Sequence, residues 1–377
     1  MQNKQKNIGR LFNTINAEEE EKALKNNTKE ILSEKKKIKN TFLPAEWQEQ
    51  SAIQLTWPHQ NTDWAYMLNE VTDCFKNLAN EIATRQPLII VTPEPQKTRQ
   101  QLGNLKNITF FKCPTNDTWA RDHGFITMLD ETGPTLLDFR FNGWGQKFAS
   151  NLDNQICRKM AVSGIMNGKY KNCLDFVLEG GSIESDGCGT LLTTTACLTA
   201  PNRNEPLSKD QIEEYLKQEF NLKQVLWLDH GYLAGDDTDS HIDTLARFCP
   251  EDTIVYVQCS NNTDEHFDEL KKMEEQLKSF RTLKGEPYRL IPLPMADPVF
   301  EDGERLPATY ANFLIMNEVV LYPTYNQPKN DTKAAEQLKK AFPTRNIIGI
   351  NCEALIRQHG SLHCVTMQFP KEVFNIK

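Results

Sequence analysis

The feature that most limits what this chain can fold into is a regular alternation of short apolar runs and amphipathic stretches, continuing from Leu43 without a long linker. Strand-like runs stand at 52–57, 87–91, 108–112, 125–129 and 135–139. Two more, 182–185 and 190–194, flank Asp186-Gly187, a dipeptide suited to a tight hairpin because both residues tolerate positive φ. Others follow at 225–228, 254–258, 319–322 and 347–350. Apolar residues recurring every three or four positions predict helices over 66–84, 265–280 and 332–342. Ser208, with Gln211 three residues on, predicts a capping box opening a helix that runs to Phe220. Strands alternating with helices predict an α/β chain forming a single domain. No internal repeat is visible, and no Gly-x-Gly-x-x-Gly or phosphate loop marks a nucleotide site.

Residues 1–40 differ from the rest. They carry ten Lys/Arg, six Glu, one aromatic residue and no proline, which predicts a mobile or partly helical arm ahead of a catalytic domain at 41–377. The net charge of −8 argues against a general binder of nucleic-acid backbones, whose footprint is basic. No run approaches the ~20 apolar residues of a membrane helix, and 1–40 lack the apolar segment of an export signal. Ten cysteines without a Cys-x-x-Cys pair suit neither a zinc ribbon nor a disulfide framework, so the cytoplasm is the expected compartment.

Four stretches carry candidate chemistry. Gly235–Asp243 holds four aspartates and His241 in nine residues. It reads as a solvated acidic turn, as a metal loop, or as a pocket in which His241 and Asp243 share one face of a strand. The calcium-loop pattern lacks its central glycine and distal glutamate here. Near the C-terminus, Cys364 follows a turn containing Gly360 and enters an apolar run, where it suits either a nucleophile at a strand end or an inert buried thiol. His359 and His363 have zinc-helix spacing, but Gly360 between them argues against a helix. Trp119-Ala-Arg-Asp122 precedes a strand, and Glu179-Gly-Gly181 sets a carboxylate beside two glycines, where backbone can approach a ligand. One thiol, one imidazole and the carboxylates of Asp122, Glu179 and Asp243 suit a guanidinium. That cation is planar and permanently charged, carboxylates grip it in bidentate fashion, and its weakly electrophilic carbon calls for a thiolate.

Taken in order, Trp119–Asp122, Glu179–Gly181, Asp237-x-Asp239-x-His241-x-Asp243 and His363-Cys364 resemble the motifs of the agmatine deiminases and the bacterial peptidylarginine deiminase-like branch of the guanidine-modifying superfamily. The resemblance implies a five-bladed α/β propeller, or pentein, of pseudo-repeated ββαβ units with the active site at its centre. It implies Cys364 as nucleophile, His241 as general acid and then base, Asp122 and Asp243 on the guanidinium nitrogens, and Glu179 supporting the histidine. Trp119 and Gly360 are expected to wall the substrate pocket. The implied reaction is deimination of agmatine to N-carbamoylputrescine and ammonia through a thiouronium, with no metal or organic cofactor. The same chemistry on peptidylarginine or another guanidine, amidino transfer to an amine, and an inactive arginine-binding module stand as alternatives. The implied partner is a small guanidine, and the family habit is a homo-oligomer.

Overall fold

The computed structural model describes residues 41–374; the expected arm at 1–40 lies outside them. In chain order the main elements are β1 (Gln50–Thr56), α1 (Leu68–Ala83), β2 (Leu88–Thr92), α2 (Pro95–Leu102), β3 (Ile108–Lys112), α3 (Ala120–His123), β4 (Ile126–Asp130), β5 (Gly133–Arg140), α4 (Ile156–Ser163) and β6 (Lys169–Val177). There follow β7 (Ile183–Ser185), β8 (Thr190–Thr194), α5 (Lys209–Phe220), β9 (Gln224–Leu228), β10 (Ala246–Cys249), β11 (Thr253–Gln258), α6 (Phe267–Ser279) and β12 (Arg289–Pro294). The last are β13 (Phe300–Glu301), β14 (Glu304–Arg305), β15 (Leu314–Ile315), β16 (Val319–Thr324), α7 (Pro328–Ala341), β17 (Asn346–Asn351) and β18 (Thr366–Pro370).

Local chemistry explains the elements. β2, Leu-Ile-Ile-Val-Thr, is buried at every position, as a strand with parallel neighbours covered on both faces must be. In α1 the buried residues Val71, Cys74, Phe75, Leu78, Ala79 and Ile82 form one stripe toward the core. The capping box of α5 is present in both halves: Ser208 Oγ accepts from the Gln211 N–H, and Gln211 Oε1 accepts from the Ser208 N–H. That helix ends at Asn221 in the left-handed conformation. At the Asp186-Gly187 turn, Asp186 Oδ1 accepts from the N–H groups of Cys188 and Thr190.

The strands form five sheets of three or four members, plus the β13–β14 hairpin. Each of the five repeats one plan: an antiparallel pair, then a helix returning the chain to a parallel third strand. The repeat is thus present in space although it is invisible in the sequence. Sheets β4-β5-β6, β7-β8-β9, β10-β11-β12 and β15-β16-β17 are continuous in the chain. The remaining one, β18-β1-β2-β3, joins the C-terminal strand to the first, with Ile53 opposite Gln368 and Leu55 opposite Thr366.

Candidate active site

Every unit contributes a residue to one place, from the loop just before its first strand. Asp122 precedes β4, Gly181 precedes β7, His241 and Asp243 precede β10, Asn312 precedes β15, and Cys364 precedes β18. Hydrogen bonds close the circle. The Cys364 N–H donates to Asn312 Oδ1 at 3.2 Å, and Asn312 Nδ2 donates to the Asp243 carbonyl at 3.4 Å. Thr194 Oγ1 donates to the Ser240 carbonyl at 2.8 Å, the Gly181 N–H to Asp122 Oδ1 at 3.0 Å, and the Arg121 N–H to the Cys364 carbonyl at 3.1 Å.

Within the circle the expected residues converge. His241 is fully buried, with Nδ1 3.7 Å from Asp122 Oδ1 and Nε2 3.9 Å from Glu179 Oε2. Neither ring nitrogen has a hydrogen-bond partner. Burial would lower its pKa, but Asp122, the adjacent Cys197 thiol and Glu179 outweigh burial and hold it well above the usual histidine value. Burial pushes Asp122 up to about 6, against the pull of His241 and with the push of Asp243 and Glu179. For Asp243 burial acts upward too, yet the hydrogen bond and charge of His363, then His241 and Arg247, bring it below the ordinary carboxylate value. Asp243 Oδ2 is held by His363 Nδ1 at 2.7 Å, while its Oδ1 is buried and unpartnered.

The Cys364 thiol points at acceptors, Asn312 Oδ1 at 3.4 Å and Asp243 Oδ2 at 3.9 Å. Burial, then the charges of Asp243 and Asp122, push it well above the usual thiol value. It makes no hydrogen bond to the His241 ring; carboxylates stand around both groups instead. Glu179 is gripped by Arg203, whose Nε lies 3.2 Å from each carboxylate oxygen.

A cleft of about 390 Å³, its open mouth included, leads to Cys364 and Asp122. Trp119, Trp144 and Phe148 line it together with Gln358, His359 and Gly360. Gly360 lies so close to Trp119 that a Cβ there would stand 2.1 Å from Cζ3 of the indole. Asp63, Asp117, Asp237 and Thr238 complete the lining, which among the described residues has no lysine or arginine. Burial, helped by Asp63, pushes Asp117 up to about 7. Lys147, outside the lining, donates to the Asp237 carbonyl at 2.5 Å and to Asp239 at 2.9 Å.

One sequence reading needs correction. His241 and Asp243 do not lie on a strand. His241 precedes a 3₁₀ turn, Ile242–Thr244, and reaches the pocket because that turn projects both side chains inward. The metal-loop reading, already short of its glycine and glutamate, gains no support, since two of the run's four carboxylates are tied up within the protein. Asp236 accepts from the N–H groups of Thr238 and Ser240, and Asp239 binds Arg203 and Lys147. Nor do His359 and His363 share a helix. His359 bonds the Gly235 carbonyl at the cleft, whereas His363 is buried among Asp243, Glu46 and Arg247.

Sequence reasoning missed Asn312, Trp144, Arg203 and the buried ions behind the site. Trp144 Nε1 donates to Asp122 Oδ2 at 3.0 Å from a left-handed backbone (φ 54°). Glu46 accepts from Arg121 at 2.9 Å and from Arg247 at 2.6 Å, and Arg247 also holds Glu184. Burial would raise Glu46, but Arg121, His363 and Arg247 hold it well below the usual value. Among the described residues no helix is long and apolar enough to cross a membrane.

Residues 42–370 match the family of Porphyromonas-type peptidyl-arginine deiminase. A solved "putative arginine deiminase" from Porphyromonas gingivalis is 50% identical, covers 89% of this chain and 100% of its own, and superposes with a TM-score of 0.85. The agmatine deiminase of C. jejuni, solved as a Cys→Ser variant with substrate bound, is 40% identical over 88% of this chain and 97% of its own (TM-score 0.84). That of Enterococcus faecalis is 29% identical over 89% and 98% (TM-score 0.83). With a match spanning all five units and the circle of residues between them, the chain belongs to the Porphyromonas-type peptidyl-arginine deiminase family.

Proposed function

We propose that the protein hydrolyses the guanidinium group of agmatine to N-carbamoylputrescine and ammonia through a covalent adduct on Cys364. The observation that carries this reading is the charge along the cleft. Asp122 stands at the inner end, Asp63, Asp117 and Asp237 line much of the rest, and among the described residues the lining holds His359 but no lysine or arginine. Agmatine is cationic at both ends and suits such a lining; an α-carboxylate would meet repulsion and find no arginine. Relatives solved as agmatine deiminases support the same substrate.

The proposed steps follow from the positions. Asp122 and the unpartnered Oδ1 of Asp243 accept the guanidinium N–H groups, with Trp119 and Trp144 walling the chain behind them. The thiol faces only oxygen acceptors, so the arriving cation supplies the positive charge that favours the thiolate, and the thiol proton leaves to solvent. The sulfur attacks the guanidinium carbon, and the resulting tetrahedral adduct expels ammonia, which takes a proton from the imidazolium of His241. Now neutral, His241 removes a proton from water as it attacks the thiouronium. The second tetrahedral adduct collapses to the ureido product, releasing the cysteine sulfur. Glu179 keeps His241 basic and oriented, itself anchored by Arg203.

The test is ammonia release from agmatine, free arginine, arginine peptides and methylated arginines, with Cys364→Ala as the control. Agmatine is expected to give the highest kcat/KM, and the variant to bind agmatine without turnover. Preference for an arginine peptide would overturn the substrate reading, and undiminished turnover by Cys364→Ala would overturn the nucleophile.

A further inference from the structure

Beside the substrate cleft, a second set of side chains meets at His241. Cys197, in the turn after β8, is fully buried. Its Sγ, a ring nitrogen of His241 and a Glu179 oxygen all lie within 4.8 Å of one another. In the reaction above this thiol touches no reacting atom and acts only as a neighbour that raises the His241 pKa. A thiolate, an imidazole and a carboxylate are the donors that Zn²⁺ and its neighbours in the transition series prefer. With metal–ligand bonds of about 2.0–2.3 Å, a tetrahedral site needs its donors roughly 3.3–3.8 Å apart. The His241 Nε2–Glu179 Oε2 separation is 3.9 Å and the Cys197 sulfur lies within 4.8 Å of its partners, so contraction by up to about 1 Å closes the set.

A second cluster shows what disqualifies such a set. Glu46, Glu184 and His363 also bring three donors together, but the Arg247 guanidinium bonds all three and already supplies the cation. Around His241 the situation differs, because both ring nitrogens are buried without a hydrogen-bond partner. The Arg203 charge acts on both Glu179 and Cys197, yet its one hydrogen bond to the set is through Nε, shared between the two Glu179 oxygens. A carboxylate offers about four lone-pair sites, so the oxygen facing His241 keeps one free.

We propose that Glu179, Cys197 and His241 form a three-ligand site for a transition-metal ion of the Zn²⁺ class, and that filling it inhibits the enzyme by occupying the histidine that moves protons. Binding exchanges the Cys197 thiol proton and the His241 ring proton for the metal and releases both to solvent, so affinity rises with pH. The binding itself is independent of the deimination reading; only the inhibition rests on it.

Cobalt(II) is the probe, because a thiolate–Co²⁺ bond absorbs in the near ultraviolet. Full-length Cys364→Ala protein removes the other thiol of the site. Titrated with Co²⁺, it is expected to develop the charge-transfer band at one equivalent. Cys197→Ser/Cys364→Ala, shown to be folded by its thermal transition, is expected to lack the band. No band in Cys364→Ala, or an undiminished band in the double variant, would overturn the site. Against agmatine, Cys197→Ser, compared with its own metal-free rate, is expected to need at least tenfold more Zn²⁺ for half-inhibition than wild type. Unchanged zinc sensitivity would put the metal on Cys364 instead and overturn the proposal. Should agmatine not be turned over at all, the cobalt band still reports the site.

Discussion

Gly181 gives the sharpest test of how the site is assembled. It lies in the 3₁₀ turn Gly180–Ser182, and its backbone is not in the left-handed region, so alanine can adopt the same conformation. What alanine adds is a methyl group in the middle of the site. A Cβ there would stand 2.6 Å from His241 Nδ1, 2.9 Å from Asp122 Oδ1 and 3.2 Å from Asp243 Oδ2, against an ordinary contact of 3.4–4 Å. The imidazole must therefore retreat by about 1 Å, and displacement on that scale costs roughly 10²-fold in rate. Overpacking of this kind costs about 1–3 kcal/mol in stability. Gly181→Ala is thus expected to fold, with its urea midpoint lowered by that amount, and to release ammonia from agmatine with kcat/KM down roughly 10²-fold. Gly180→Ala provides the contrast. Its Cβ would meet the Arg121 carbonyl oxygen at 2.2 Å, so main chain must move and stability falls first. A folded Gly181→Ala enzyme within threefold of wild-type turnover would refute the placement of these three side chains around the substrate.

Gly360→Ala is expected to drive the Trp119 ring into the cleft, raising KM for agmatine more than it lowers kcat; unchanged steady-state kinetics would remove Trp119 from the pocket wall. For the pH profile, Asp122 is pushed up to about 6 and grips the cation only when ionised, so kcat/KM is expected to fall as pH drops through about 6. Asp122→Asn should show low activity without that limb. The same raised value means that the folded state holds this proton more tightly than the unfolded chain does, so this group alone lowers stability as pH rises through that range. Asn312→Asp keeps the shape but sets a second negative charge beside the thiol and Asp243. A loss of roughly tenfold or more in kcat/KM, equivalent to one pK unit on the thiol, is expected from initial rates, with the secondary structure by circular dichroism unchanged.

Much of the fold was legible because it is written in local chemistry. The Ser208–Gln211 box, the Asp186-Gly187 turn and the apolar stripe of α1 each act within a few residues, and each is where the sequence predicts it. Elements without such a local signature were missed. β6, Lys-Tyr-Lys-Asn-Cys-Leu-Asp-Phe-Val, is exposed over its first four residues and does not look like a buried strand. β15 has only two residues, held by their pairing with β16. In the site, Cys364, His241, Asp122, Asp243 and Glu179 stand out because a thiol, an imidazole and acids beside glycines are unusual company in sequence. Asn312 is different. Nothing in Tyr310-Ala-Asn-Phe313 announces it, since a carboxamide two residues before a strand is ordinary. Its signal is positional: it occupies in its unit the place that Asp243 and Cys364 occupy in theirs. With the repeat invisible in sequence, that position could not be read.

The repeat also determines when the site can exist. Cys364 is carried by the segment that leads into β18, and β18 pairs with β1, some three hundred residues away in sequence. The segments ahead of β4, β7 and β10 carry Asp122, Glu179, His241 and Asp243, whereas Cys364 reaches them only through the segment whose strand pairs with β1. Without that pairing the edge of β1 would be open, a liability in any exposed strand. The same pairing seats Cys364, covers that edge and places the hydrogen bonds from Cys364 to Asn312 and from Arg121 to Cys364. The network behind it, in which Glu46 from the start of the domain binds His363 from its end, is charged and buried, and it forms only when both ends are in place. A buried ion set of this kind is weak evidence for stability, and its place here is better explained by register. It fits only one way of joining the two ends, the one that seats Cys364 beside Asp243.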